Sequence, residues 1–159
     1  MPELFRKREE FDAYIEALTN AGIIDDSSYV WWALRPSLKH PTLELRAPDA
    51  CTFVDDSIAI AALYRSLARM LCRNPLHNFN ITAVTQALIV ENKWRAQRYG
   101  VTGTFVGDGG AVTIASLLDQ VIEETAEHAD ALGCLAAVKR CRAIAGGGTS
   151  ADAQMAVYE

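Results

Sequence analysis

The spacing of apolar residues predicts that helices make up most of this chain. Apolar side chains recur every three or four residues from about Glu3 to Asn20, where Gly22 follows as a stop signal. The same period and its cap signals predict five more helices. They run from Asp55–Ser57 to about Leu71, from Asn80 or Thr82 to Tyr99, from Thr113 to Ala131, from Cys134 to Ile144, and briefly after Thr149. Between the third and fourth predicted helices, residues 101–110 are expected to form a loop or a short hairpin.

Two short segments have the pattern of strands rather than helices. Residues 29–35 are rich in aromatic and branched side chains, and residues 42–46 alternate polar with apolar positions. We therefore predict an α+β fold, in which an antiparallel strand pair packs with several α-helices in a single domain over residues 1–159. Because two strands alone are marginal, the pair either leans on the helices or completes a larger sheet supplied by other polypeptide. The sequence leaves both alternatives open.

The helix predicted to begin near Asp55 carries the strongest apolar stripe. We expect a broad buried face on this helix. Its predicted members are Ile58, Ala61, Leu63, Tyr64, Leu67, Met70 and Leu71.

Polar residues of the strand pair are expected to share one face. Pairing across the Pro36–Pro41 connection predicts Arg35 opposite Thr42, Ala33 opposite Glu44 and Trp31 opposite Arg46. One face then carries Arg35, Glu44 and Arg46, and the other carries leucines and Trp32. A carboxylate between two guanidinium groups suits a divalent cation together with a phosphoryl group. The alternative is a solvated sheet face with cross-strand ion pairs that contribute little to stability.

A second set of candidate residues lies on the helix that ends at Gly100. Its apolar stripe through Val84 and Leu88 continues at helical spacing into Asn92, Arg95 and Tyr99. Either this end of the helix emerges into solvent or these groups line a polar pocket. The spacing leaves both alternatives open.

Composition narrows the class of protein. A net charge of −5 and a pI near 5.2 argue against a nucleic-acid or membrane-surface binder, which needs a basic footprint. The longest apolar run is too short to span a bilayer, so we expect a cytoplasmic protein. The four cysteines have no metal-ligand spacing and are expected to be buried free thiols. The two glycine-rich stretches match no phosphate-binding fingerprint and are interpreted as turns and caps.

Four separated motifs together resemble one enzyme family. They are Trp31–Ser37 (WWALRPS), Pro41–Asp49 (PTLELRAPD), Glu91–Gly100 (ENKWRAQRYG) and Gly148–Gln154 (GTSADAQ). Their order is similar to that in the bacterial carboxylate–amine ligases of the glutamate–cysteine ligase type 2 family, which have a glutamine synthetase-like fold. The resemblance covers nearly the whole chain and implies that it corresponds to the C-terminal part of a larger ligase catalytic domain.

The resemblance implies a chemistry for the strand pair. In that family the concave face of an antiparallel sheet binds ATP, magnesium and glutamate, and the γ-carboxylate is activated as an acyl phosphate before an amine such as cysteine attacks. Carried over, Glu44 is a metal ligand, Arg46 a phosphate or carboxylate contact, and Arg35 a stabiliser of the transferred phosphoryl group. The resemblance also favours a polar pocket at the end of the third predicted helix, with Asn92 and Arg95 as candidate substrate- or nucleotide-binding residues. At Ala33 some family members carry an acid, and its absence removes one polar contact.

Phosphoryl transfer to a carboxylate needs more than one acidic ligand for its metal ions, and this chain offers one convincing candidate, Glu44. The resemblance therefore implies an isolated chain that is incomplete and works with an N-terminal half or in a homo-oligomer. The alternatives are a non-catalytic α+β interaction module and a degenerate fragment that retains the fold.

Overall fold

Two compact units make up the fold, one from Met1 to Asp49 and one from Ala50 to Glu159. The structure is a computed structural model that describes residue 5 and residues 7–78, 81–107 and 109–158. Helices and two short antiparallel strand pairs place the chain in the α+β class, as the sequence predicts. The single domain over residues 1–159 stays a prediction. Within the described ranges no helix has the length and apolar character needed to cross a membrane.

An aromatic cluster forms the interior of the first unit. Helix α1, Arg8–Asn20, contributes the buried Phe11 and the neighbouring Tyr14. The ring centroids of Phe5, Phe11 and Tyr14 lie 5.6–5.8 Å from that of Trp32, so four rings pack around one point. The predicted end of α1 is confirmed, but the helix begins at Arg8 rather than near Glu3, and Phe5 precedes it. Residues 1–4 and 6 of the predicted helix lie outside the described ranges.

The strand pair of the first unit is shorter than predicted. Strand β1 is Leu34–Pro36 and strand β2 is Leu43–Leu45, whereas the prediction placed a strand over residues 29–35. Residues 27–29 instead form a 3-10 turn, in which the Ser28 amide donates to the Asp26 carboxylate at 2.7 Å. The carbonyl groups that follow accept hydrogen bonds from an arginine side chain rather than from a neighbouring strand. This local competition explains the missing first half of the strand.

The strands pair in a register two residues away from the predicted one. Arg35 lies opposite Glu44, where the prediction put Thr42, and Leu34 lies opposite Leu45. The Ser37 amide donates to the Thr42 carbonyl at 2.9 Å and closes a six-residue loop over residues 37–42. An even shift keeps every side chain on its predicted face, because side chains alternate with a period of two.

Three helices pack together in the second unit, namely α2 (Val54–Arg73), α4 (Ile114–Ala131) and α5 (Leu135–Gly147). Helix α3, described below, lies between α2 and α4 in the sequence. The core of this bundle is built largely from small residues. Its buried members are Ala59, Ala62, Ile122, Ala129, Val138 and Cys141. Burial raises the pKa of the Cys141 thiol, which keeps it neutral.

The inward face of helix α2 matches the predicted face only in part, since Met70 is buried and Leu63 packs against the core as predicted. Ile58 is 52% exposed and Ala61 is exposed, whereas Ala59, Ala62 and Ser66 are buried. These small side chains let α4 and α5 approach closely, so packing overrides the larger apolar residues one position away. The cap prediction was also wrong, because Phe53 precedes α2 without a side-chain cap and Asp55 lies in its first turn.

The remaining elements of the second unit are α3 (Ala83–Tyr99), a hairpin and a short last helix. The Thr82 side chain caps α3 and Gly100 ends it with a φ of 54°, which confirms both predicted boundaries. Strands β3 (Thr104–Gly107) and β4 (Gly110–Thr113) form a hairpin, which is one of the two alternatives that the sequence allowed for residues 101–110. Helix α6 is Ser150–Met155.

Two predictions about burial in the second unit were wrong. In α3, none of the described residues is buried, and Val84 of the predicted apolar stripe is 68% exposed. Among the cysteines, Cys141 is buried but Cys72, near the end of α2, is exposed. Helical periodicity identifies a face but not whether another element covers that face.

Candidate functional site

One face of the β1–β2 hairpin brings together the three residues predicted to form the site. Arg35 and Glu44 are directly opposite in the ladder, and the amide of Arg46 donates to the carbonyl of Ala33 at 2.7 Å. Directly opposite residues in an antiparallel pair share a face, as do residues two apart along a strand. The polar face that we call the Arg35–Glu44–Arg46 site is therefore present despite the shifted register.

Arg35 is buried, and the Nε and Nη1 atoms of its guanidinium bind partners in its own unit. The residue is 8% exposed. Its Nε donates to Glu44 Oε2 at 2.9 Å, and its Nη1 donates to the carbonyl of Val30 at 3.1 Å and to that of Ser28. A buried charge needs such partners, because an unpaired one loses its hydration without compensation. Arg35 therefore anchors the chain around it and orients the Glu44 carboxylate.

Two guanidinium groups share one oxygen of Glu44 and favour its ionised form. Oε2 lies 2.9 Å from Arg35 Nε and 3.6 Å from Arg46 Nη1. The hydrogen bond from Arg35, followed by the charges of Arg35 and Arg46, holds the pKa of Glu44 below its usual range. Within the described part of the chain Oε1 has no hydrogen-bond partner. An ionised carboxylate with one oxygen still available is the kind of ligand that Mg²⁺ prefers.

Arg46 is the accessible cation of the site. Its side chain keeps 35% of its exposure, compared with 9% for Arg35. The guanidinium carbon lies 5.4 Å from the centroid of the Trp31 ring, a distance typical of a cation–π contact. Two arginines and one glutamate leave the face with a net positive charge, which favours an anionic ligand.

Asn92 and Arg95 lie together on α3 in the second unit, where both bind strand β3. The Asn92 amide pairs with both backbone groups of Val106, donating from Nδ2 to the carbonyl at 3.0 Å and accepting from the amide at 2.8 Å. Arg95 donates from Nε to the Thr104 carbonyl at 2.5 Å and from Nη2 to its hydroxyl at 2.8 Å. These side chains occupy the edge of β3 that β4 does not use, a common protection of an exposed edge. A ligand-binding function for Asn92 and Arg95 stays a prediction.

Replacement of Asn92 by alanine is expected to speed hydrogen exchange at the Val106 amide roughly five- to tenfold, the effect of losing about one net hydrogen bond. Exchange measured by NMR on the intact chain checks this. Arg98→Ala is the matched control, because Arg98 is exposed on the same helix and contacts the Tyr99 ring instead of β3. Equal exchange rates at Val106 in the two variants would mean that Asn92 does not protect the edge.

The last of the four motifs, Gly148–Gln154, connects two segments of the second unit through hydrogen bonds. Thr149 and Asp152 cap α6 reciprocally. Ser150 Oγ accepts a hydrogen bond from the Thr52 amide at 2.8 Å, and the Gln154 amide lies 3.5 Å from the Thr52 hydroxyl. The motif therefore ties α6 to the segment before α2. The interpretation of the adjoining glycines as a turn was wrong in part, because Gly146 and Gly147 extend α5 and only Gly148, with a φ of 97°, follows it as a cap.

The sequence gives no signal for one contribution to the hairpin site. The carbonyl groups of Ser28 and Val30 bind Arg35, and no side-chain pattern signals a backbone acceptor. The contact of Trp31 with Arg46, in contrast, agrees with the predicted placement of these two residues on one face. The shifted register puts Ala33 rather than Trp31 directly opposite Arg46 and leaves Trp31 on the same face.

Comparison with known proteins connects this geometry to one family. The model of glutamate–cysteine ligase family 2 (GCS2) matches residues 1–159. A protein of Bradyrhizobium sp. (strain ORS 278) is 56% identical over 158 residues, which are 99% of this chain and 39% of that protein. The corresponding figures are 53%, 99% and 37% for a protein of Bradyrhizobium diazoefficiens, and 42%, 99% and 41% for one of Rhodospirillum rubrum.

Each of these three relatives carries the name "Putative glutamate--cysteine ligase 2". The chain spans about two fifths of the length of these curated relatives. The match extends over all four motifs, including the hairpin that carries Arg35, Glu44 and Arg46. The chain therefore belongs to glutamate–cysteine ligase family 2.

Proposed function

We propose that the Arg35–Glu44–Arg46 site is part of the active site of an ATP-dependent carboxylate–amine ligase. The observation that carries this proposal is the Glu44 carboxylate, ionised and oriented by two arginines on one sheet face, with an oxygen left for a cation. Membership of the family supports glutamate as the acid and cysteine as the amine. The larger sheet implied by the glutamine synthetase-like resemblance and a cytoplasmic location belong to the same proposal.

The reaction follows from the chemistry of a carboxylate and an amine. A γ-carboxylate oxygen of glutamate attacks the γ-phosphorus of ATP, and the bond to the ADP oxygen breaks to give an acyl phosphate and ADP. The amine then attacks the acyl carbon, phosphate leaves with the bonding pair, and the amine loses a proton to give the amide. Arg46 binds the phosphate or carboxylate oxygens during these steps, since its guanidinium is accessible and can donate two parallel hydrogen bonds.

The donor set of the hairpin fits Mg²⁺ in part. Magnesium in nucleotide sites is held by one or two carboxylates together with phosphate oxygens and water, and Glu44 Oε1 is one such ligand. When bound, the ion neutralises charge on the phosphates. No group of three or more metal-ligating side chains occurs among the described residues. We propose that further ligands come from polypeptide beyond these 159 residues, either an N-terminal half or another subunit.

Arg35 is proposed to act by holding Glu44 in place. As a stabiliser of the transferred phosphoryl group it would need N–H donors that reach the ligand, and its burial together with the hydrogen bonds of Nε and Nη1 leaves only the Nη2 donors for this. Asn92 and Arg95 remain secondary candidates for substrate or nucleotide binding, and their engagement with β3 supports a structural function more strongly.

Substitution of Glu44 by glutamine tests the proposal. The chain is mixed with the segment of the Bradyrhizobium sp. relative that lies outside the match, and ADP release dependent on both glutamate and cysteine is measured. We expect Glu44→Gln to lower this rate by about 100-fold, since it removes a charged ligand of the metal. Glu16→Gln is the control, because Glu16 is an exposed glutamate of the same unit.

Unchanged ADP release in the Glu44→Gln mixture would contradict the function assigned to Glu44, provided that its circular dichroism matches that of the unsubstituted chain. Absence of glutamate-dependent release from the unsubstituted mixture would contradict the ligase proposal itself.

A non-catalytic interaction module is the second candidate, and one observation favours it. The face of the hairpin opposite the site exposes Leu34, Leu43 and Leu45 by 43%, 53% and 37%. Three neighbouring leucines on a short sheet are typical of a surface that another polypeptide covers. This candidate expects a stable complex whose affinity is unaffected by Glu44→Ala and Arg46→Ala.

A further inference from the structure

Adjacent tryptophans in the first unit have opposite environments. Trp32 packs its ring among Phe5, Phe11 and Tyr14, whereas Trp31 is 80% exposed. Exposure of so large an apolar side chain is unfavourable, and the aromatic cluster is complete without it. The packing of the first unit therefore does not explain Trp31.

The contact that Trp31 makes is with the guanidinium of Arg46. The guanidinium carbon lies 5.4 Å from the ring centroid, and Arg46 Nη1 lies 3.6 Å from Glu44 Oε2. The guanidinium lies over the indole ring, while the Glu44 carboxylate approaches one of its nitrogens. We propose that Trp31 is a positioning residue that holds Arg46 in the orientation in which it binds an anionic substrate group.

The physical argument rests on the freedom of an exposed arginine. The Arg46 side chain is 35% exposed, and a long side chain at such a position loses rotamer entropy when a ligand fixes it. A ring in contact with the guanidinium restricts that freedom before the ligand arrives, so less entropy is lost on binding. The π face of an indole also engages the N–H donors of the cation more weakly than an oxygen acceptor does, so an anion can still bind them.

The class of ligand follows from what remains available on Arg46. Planar N–H donors beside a sheet face of net positive charge suit a phosphate or carboxylate group. Which of the two binds depends on the proposed ligase function, on which this part of the inference rests. The contact between Trp31 and Arg46 does not depend on it.

Two measurements on the intact chain test the inference. The first is the NMR chemical shift of the Arg46 δ and ε protons, which the ring current of Trp31 displaces from ordinary arginine values. The second is the affinity for inorganic pyrophosphate, measured by calorimetry. The variants are Trp31→Leu and Trp31→Phe, because leucine keeps apolar bulk without a π face and phenylalanine keeps the face.

We expect Trp31→Leu to return the Arg46 proton shifts to ordinary values and to weaken pyrophosphate binding about two- to fivefold, the effect of one exposed cation–π contact. Trp31→Phe should recover most of the affinity. Trp94→Leu is the matched control, since Trp94 is a half-exposed tryptophan of the other unit, and its substitution should change neither quantity.

Three outcomes would overturn the inference. Arg46 proton shifts that are the same with tryptophan and leucine would mean that the ring does not hold the cation. Equal affinities of the Leu and Phe variants would mean that any apolar bulk suffices. The third outcome is that the unsubstituted chain shows the displaced Arg46 proton shifts but does not bind pyrophosphate. Arg46 would then contact Trp31 without binding an anion, and this part of the proposed ligase site would be wrong.

Discussion

Replacement of Arg35 by alanine is expected to lower the free energy of unfolding of the first unit by about 3–5 kcal/mol, the usual effect of breaking a buried, hydrogen-bonded charge. The guanidinium is 8% exposed and joins two backbone carbonyls to Glu44 on the opposite strand. Its loss leaves the carbonyls of Ser28 and Val30 without this donor and removes the closer partner of Glu44. The hairpin, whose strands have three residues each, has few other contacts to compensate.

Urea denaturation followed by tryptophan emission measures this change in a Trp94→Phe background, where the remaining Trp31 and Trp32 both lie in the first unit. Arg8→Ala is the matched control. Arg8 pairs with Asp12 at 2.8 Å, but the two side chains keep 69% and 54% of their exposure. Such an exposed pair contributes about 0–1 kcal/mol. Equal losses of stability for the two variants would show that Arg35 does not anchor the unit.

Replacement of Ile122 by alanine should lower the free energy of unfolding of the second unit by about 2–5 kcal/mol. Ile122 is 2% exposed on α4 and is the largest side chain of a core otherwise made of alanine, valine and cysteine. Ala59 and Ala62, which belong to the same core on α2, are too small to fill the space that its truncation leaves. A cavity in a core of small residues therefore cannot collapse without moving whole helices.

Urea denaturation followed by far-ultraviolet circular dichroism reports this change, since α2 to α6 supply most of the helical signal. The control is Val84→Ala on α3, where the side chain is 68% exposed and truncation should change stability by less than about 0.5 kcal/mol. An effect of Ile122→Ala no larger than that of Val84→Ala would contradict the assigned core.

Local signals in the sequence located most elements well. The predicted end of α1 and both predicted boundaries of α3 hold, because Thr82 caps α3 through its own side chain and Gly100 adopts a positive φ. Such signals need only neighbouring residues. The strand over residues 29–35 failed for the same physical reason, since Asp26 and the guanidinium of Arg35 compete locally for the backbone.

The sequence by itself determined which residues share the polar face of the hairpin. Arg35, Glu44 and Arg46 stay together even though the register is two residues from the predicted one, because the alternation of side chains is unchanged by an even shift. The family motifs, too, are readable from the residues alone, and the family match confirms them.

Only the tertiary structure decided what each polar or apolar face contacts. Ala59 rather than Ile58 faces inward on α2 because it meets Cys141, 82 positions away, whose thiol lies 3.4 Å from the Ala59 carbonyl. Asn92 bonds to β3 because the hairpin folds back along α3. Arg35 is buried because carbonyl groups of the chain before β1 bind its guanidinium, whereas the guanidinium of Arg46 remains accessible. Periodicity specifies a direction from the backbone, and only packing specifies what lies in that direction.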